Sequence, residues 1–187
     1  MRNLITKPHF RTWLAIVGAC TLLLAAAYSM AQQSTRLAAD DLPLATAQTV
    51  KNELQTGSNP SDVVSAVKTN LKTDSTVFVI IVDNTQHVLA SSATLSGETP
   101  LPPSGVFSYS LAHGNDHFTW QPESGVRLAT RVLTYSDDSG TGFVITGQSL
   151  SQAESRTNVY TWIALGAWIA IVAWSTFTLL LPIKPKN

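Results

Sequence analysis

Two imidazoles and a carboxylate fall within five residues, at His113, Asp116 and His117. On a helix the two histidines would share a face and could grip zinc. The intervening Gly114-Asn115-Asp116 is turn material, however, and predicts a solvated hairpin tip between two strands. His87 reads as an exposed residue at the start of a strand. The serines show no Gly-x-Ser-x-Gly elbow, and no motif ties a histidine and an acid to any of them. Asp137 and Asp138 are adjacent acids beside Ser139-Gly140, a turn in which carboxylates are solvated. These residues predict no enzyme, no metal site and no cofactor.

Ligand recognition is the remaining chemistry. Between Val126 and Tyr135, alternation places Arg127, Ala129, Arg131, Leu133 and Tyr135 on one strand face. Two arginines on one face of an acidic segment could hold a carboxylate or phosphate through their forked donors. The same arginines could instead be solvated, or pair with the surplus acids. Tyr109 and Trp120 are the aromatic candidates for such a site, although with Phe107 they also suit core or sheet-face packing.

The elements that must position these residues change character along the chain. Asp40-Asp41 before Pro43 suits a helix start, with Leu44, Ala47, Val50 and Leu54 at helical spacing and Gly57 as the stop. Asn59-Pro60 predicts a second helix carrying Val63, Val64, Val67 and Leu71 on one side. From Val77 the period becomes that of strands. Val77 to Val82 is a continuous β-branched and aromatic run, Asp83-Asn84-Thr85-Gln86 is a turn, and residues 87–92 return as the second arm of a hairpin. After a connection rich in Pro and Gly, strands are predicted over 106–111, 118–121, 126–135 and 142–148. Helices followed by five or six antiparallel strands predict an α+β fold with the helices on one face of the sheet.

Two runs lie outside this pattern. Residues 12–31 comprise 20 residues without a charge, and residues 160–181 comprise 22. At about 1.5 Å per residue each can cross a hydrocarbon core about 30 Å thick. Trp13, Tyr28, Tyr160 and Trp162 near their ends suit the membrane interface. The first run, preceded by Arg2, Lys7 and Arg11, also has the layout of a signal peptide cleaved after Ser29-Met30-Ala31, but its length favours a retained span. Val17-Gly18-Ala19-Cys20 loosely fits a lipobox, yet the apolar run continues past Cys20, which reads as a small membrane residue. Ser149 is predicted to cap a helix continuous with the second span, with Gln152 as its capping-box partner. Within that span Gly166 and Ala170 form a small-xxx-small pair of the kind that lets helices approach closely.

Charge orients the spans. Residues 32–159 hold all 12 acidic residues but seven of the 12 basic ones, a net charge of −5, while the other five basic residues flank the spans. An acidic segment excludes the usual nucleic-acid binder, which needs a basic face. Basic flanks stay cytoplasmic, which predicts a two-pass membrane protein with both termini inside and the middle segment outside. The expected organisation is a cytoplasmic N-terminus (1–11), a first span (12–31), an outer domain (32–159), a second span (160–181) and a cytoplasmic tail (182–187). The outer domain has no cysteine and must fold on its apolar core alone.

Phe78-Val79-Ile80-Ile81-Val82-Asp83-Asn84 followed by Val88-Leu89-Ala90-Ser91-Ser92 resembles the first hairpin of Cache (PAS-like) extracytoplasmic sensor domains of bacterial histidine kinases and chemoreceptors. Residues 142–150, GFVITGQSL, resemble the last strand of those domains and its passage into the helix that re-enters the membrane. The resemblance implies a PAS-like antiparallel sheet, a sensing role, and a lipid bilayer, a small anionic ligand and a membrane partner protein or second copy as partners. Two departures matter. Gln148 stands where an arginine is common, and only six residues follow Leu181, with no kinase or methylation module among them. The expectation is therefore a sensor without its own output that signals through a partner. The alternative is an envelope subunit whose outer domain binds only other proteins. Reporter fusions at Asn187 and near Gly97 are expected on opposite sides of the membrane, and a mature N-terminus at Gln32 would remove the first span.

Overall fold

The computed structural model describes residues 8–138 and 140–180. Arg2, Lys7, Lys184 and Lys186 of the basic flanks, and Ser139 of the acidic turn, lie outside the described residues. The elements are α1 (Pro8–Gln55), α2 (Pro60–Val63), β1 (Thr69–Asn70), β2 (Phe78–Asp83), β3 (Val88–Ser91), β4 (Ala93–Thr94), α3 (Ser104–His113), β5 (Asn115–Glu123), β6 (Val126–Asp137), β7 (Gly140–Ser149) and α4 (Ser151–Leu180). They divide into two units, one formed by Met1–Thr35 with Ser155–Asn187 and the other by Arg36–Glu154.

In the Arg36–Glu154 unit five strands form an antiparallel sheet in the order β3-β2-β7-β6-β5. β2 and β3 form the predicted hairpin. Its turn is organised by the Asp83 carboxylate, which accepts from the Thr85 and His87 amides, each at 2.8 Å, and from the Thr85 hydroxyl at 2.7 Å. These donors favour the ionised carboxylate and hold its pKa below the ordinary value. The sheet is apolar on both sides. On one, Ala47, Val50 and Leu54 of α1 pack on Val79, Ile81, Leu133, Tyr135 and Val144. On the other, Phe107 of α3 joins Phe78, Ile80, Val82, Trp120, Leu128, Val132, Phe143 and Ile145.

The structure departs from the sequence reading in four places. Helices cover both faces of the sheet, because α1 and α3 pack on opposite sides. Residues 106–111, expected as a strand, lie inside α3. Pro103 precedes its first turn, Gly114 closes it in the left-handed conformation (φ 80°), and Phe107 and Ser110 turn inward at helical spacing. His113 thus ends a helix and stacks on Tyr109, with ring centroids 4.1 Å apart, while His117 belongs to β5. The second helix is a single turn. Beyond it the Thr69 and Leu71 amides bond the Ser92 and Thr94 carbonyls, so this chain pairs as β1 with β4 and sends Val64 and Leu71 to different cores. Finally, α1 does not start near Asp40 but runs through Pro43, and it stops at Gly57 as expected (φ 91°), with the Gly57 and Ser58 amides bonded to Leu54 and Glu53.

The other unit holds helical segments long and apolar enough to cross a membrane, within His9–Gln55 and Ser151–Leu180. They meet through three rungs of one design. The Trp13 indole donates to Ser175 Oγ at 3.1 Å, the Trp168 indole to Thr21 Oγ1 at 2.9 Å, and Tyr28 and Thr161 share a bond of 2.7 Å. Each small hydroxyl spends its own proton on a carbonyl of its own helix, at Val172, Val17 and Thr157 respectively. It is thereby left as an acceptor for the aromatic donor across the seam. Along α4 the rungs recur every seven residues, two helical turns, which keeps them on one side. Gly166 lies off this seam: a Cβ built there meets nothing within 4 Å. α4 starts at Ser151, and the Ser149 hydroxyl just before it accepts from the Ser151 amide at 3.2 Å, serving a first-turn amide as a cap does.

Two sheet glycines are required by close approach. A Cβ on Gly147 would lie 2.6 Å from the Ala129 carbonyl oxygen and 2.8 Å from the Phe78 ring. The three atoms nearest a Cβ on Gly142 all belong to the Tyr135 side chain, at 2.6–2.7 Å. Backbone cannot step aside as a ring can, so Gly147→Ala is expected to lower stability by about 1–3 kcal/mol and Gly142→Ala by less. Urea unfolding of the full chain in detergent tests that ranking.

Candidate functional site

The polar residues of the sheet gather on the face covered by α1. In an antiparallel ladder, directly opposed residues point to the same side. Arg131 of β6 stands opposite Thr146 of β7 and His117 of β5, and Ala129 stands opposite Gln148. Arg131, Thr146 and Gln148 therefore form a polar patch beside the apolar core of this face. All three reach the same turn of α1.

That turn contains Pro43. A proline inside a helix lacks the N–H that would bond the carbonyl four residues back, here that of Ala39. Ala39 is buried, so water cannot readily serve its oxygen. The Gln148 amide nitrogen does so at 3.0 Å. Thr146 Oγ1, itself fully buried, donates to the Pro43 carbonyl at 2.8 Å. Between these two bonds in sequence, Asp40 Oδ2 accepts from Arg131 Nη2 at 3.1 Å. The pair is largely shielded, with side-chain exposures of 18% for Arg131 and 26% for Asp40. Arg131 Nε is buried and makes no hydrogen bond among the described residues.

Arg127 projects from the same face but pairs with Glu154, in the first turn of α4. Both side chains are about half exposed, at 48% and 49%, so solvent screens this pair far more than the first. The two arginines thus share a face, as alternation predicts, and each already has an acidic partner. Tyr109 and Trp120 do not join them. Trp120 is buried in the opposite core beside Leu128, and Tyr109 lies on the outer side of α3, half exposed. The four candidate ligand residues therefore cannot line one pocket.

Reasoning from sequence missed Ala39, Asp40, Pro43, Thr146 and Gln148 as a set. One signal for them was present. A proline in the middle of an apolar helical stripe leaves a named carbonyl four residues earlier in need of a donor. Read as a helix start, Pro43 raised no such question.

Among the described residues no three His, Cys, Asp or Glu side chains stand together as a metal site. Chemically, the patch can neutralise and orient: it offers a shielded guanidinium with an unspent donor and an amide held to a helix carbonyl. At the far end of the same face, burial and the nearby Asp137 and Asp83 charges push the Tyr135 phenol above its ordinary pKa. Comparison with known proteins gives no relative: no family model, curated protein or solved structure matches the chain.

The Gln148 bond exists because of Pro43, and this makes it testable by a double-mutant cycle. Gln148→Ala alone leaves a buried carbonyl unserved and is expected to cost about 1–2 kcal/mol. In a Pro43→Ala background the restored helix N–H serves that carbonyl, and the same change is expected to cost less than about 0.5 kcal/mol. Urea midpoints of the four full-length proteins measure the difference.

Proposed function

We propose that this chain is a bacterial membrane-anchored sensor of the Cache-like kind. In this reading the Arg36–Glu154 unit lies outside the inner membrane and binds a small anionic ligand, while a separate membrane protein supplies the output. One observation carries the reading. The mixed α+β unit is joined at both ends to membrane-length helices without an intervening loop domain: α1 enters it as one helix, and α4 begins directly after β7. A binding unit placed in this way can report its state only through the helices that lead into and out of it. The β2–β3 hairpin with its Asp83 turn, the acidic balance of the unit and the basic flanks support the same reading.

A second reading, an envelope subunit that binds only proteins, draws on the exposed apolar side chains of the unit, Val67, Leu89 and Leu111.

Thermal unfolding of the full chain in nanodiscs, with carboxylate and phosphate compounds, separates the two readings. A ligand at 100 times its Kd adds about 2.7 kcal/mol, enough for a clear and saturable rise in melting temperature. A rise with one chemical class is expected. If none of these compounds moves the transition while an envelope protein does, the sensor reading fails and the second stands.

A further inference from the structure

β6 meets the roots of both long helices through charged side chains, and β7 beside it meets them through Thr146, Gln148 and Ser149. Arg131 of β6 bonds Asp40 of α1, and its ladder neighbour Thr146 bonds the Pro43 carbonyl one turn further on. Four residues earlier on the same face, about 13 Å away along the strand, Arg127 pairs with Glu154 in the first turn of α4. The Arg127 carbonyl also accepts from the Leu150 amide at 2.8 Å, so this residue holds the entrance to α4 by backbone and side chain together. Between the two grips Leu128, Ala129 and Thr130 are each paired on both sides, with β7 and with β5, while Arg127 itself stands where the β5–β6 register shifts. A strand held in two ladders resists stretching and bending from residue 128 to 131, and the Leu150 amide ties Arg127 to the end of that segment. Displacement of one end displaces the other.

The two grips differ in strength. The Arg131–Asp40 pair is shielded, whereas the Arg127–Glu154 pair is half exposed and screened. The gripped turn of α1 is also a point of weakness, because Pro43 removes a rung of the helix ladder and helices bend at such points. We propose that β6 is a coupling bar: through Arg131 and Arg127 it ties the position of the Pro43 turn of α1 to that of the first turn of α4, so that the two helix roots move together. The coupling belongs to the fold and does not depend on what the unit binds.

Hydrogen–deuterium exchange of the full chain in nanodiscs tests this. Asp40→Asn and Glu154→Gln each remove one charge and keep the side-chain shape. Asp40→Asn is expected to speed exchange of the α1 amides around Pro43, and also of the Leu150 and Glu154 amides, by at least about fivefold. Glu154→Gln is expected to speed exchange around Pro43 by a matching factor, because coupling between two sites is reciprocal. The β2 amides should keep their wild-type rates in both variants. Acceleration confined to each variant's own helix root would overturn the proposal, as would a uniform acceleration that includes β2, which marks general loosening. Should Asp40→Asn fail to fold, the exposed Glu154→Gln still decides the matter through its distant effect at Pro43.

Discussion

The carbonyl of Ala39 is deprived of its helical partner by Pro43 and is buried against a sheet. An unserved buried acceptor costs about as much as any single polar defect a small fold carries, so a donor must come from outside the helix. Gln148 is that donor, and its position constrains much else. Side chains alternate along a strand, so a shift of β7 by one residue would present Gly147 or Ser149 to α1 and turn Gln148 and Thr146 to the other face. The α1 contact therefore selects the register of β7. As the middle strand of five, β7 passes that register to β2 on one side and β6 on the other.

The same alternation explains why both faces of the sheet can be dry. On β7, Phe143, Ile145 and Gly147 point toward α3, and Val144, Thr146 and Gln148 toward α1. Gly147 leaves room in which the Phe78 ring lies close to the Ala129 backbone. β2 is buried on both sides, which is why its sequence reads as an unbroken apolar run and not as an alternation. The polar patch survives within this dry setting because its members bond to helix carbonyls or to a carboxylate and not to one another. Each strand side chain makes its hydrogen bond to α1, with the Arg131 Nε left over.

Patterns within a strand were legible in the sequence and partnerships across the chain were not. The hairpin of β2 and β3, the long strands β6 and β7 and the two apolar runs follow from local period and composition. The shared face of Arg127 and Arg131 follows from alternation alone. Their partners lie 27 and 91 residues away, at distances where periodicity carries no information. Residues 106–111 misled because Phe107, Tyr109 and Leu111 alternate as a strand would, while Phe107 and Ser110 equally suit one side of a helix; the Gly114 cap and the packing of Phe107 on Phe143 decide for the helix. Residues 60–71 misled in the opposite direction. Their valines fit a helical stripe, but pairing with the Ser92 and Thr94 carbonyls satisfies the backbone in another way.

The helical unit obeys a different constraint. Its two segments are long and apolar enough to cross a membrane, and in lipid apolar side chains would gain little by leaving their surroundings for one another, so that helix–helix register would have to come from packing and polar contacts. The three rungs supply it with residues that are individually unremarkable in composition, two tryptophans and a tyrosine facing a serine and two threonines. A hydroxyl in a helix can return its proton to a carbonyl of the preceding turn, and this leaves no unsatisfied donor when the partner helix is absent. Only its lone pairs remain to be used, and an indole N–H or phenol O–H fits them because such groups donate from the end of a rigid ring that can span the seam. A slip of one residue along either helix would rotate the rungs by about 100° and break all three at once. The register of the two helices is therefore set by hydrogen-bond direction, in a part of the chain where hydrophobicity makes every register look alike.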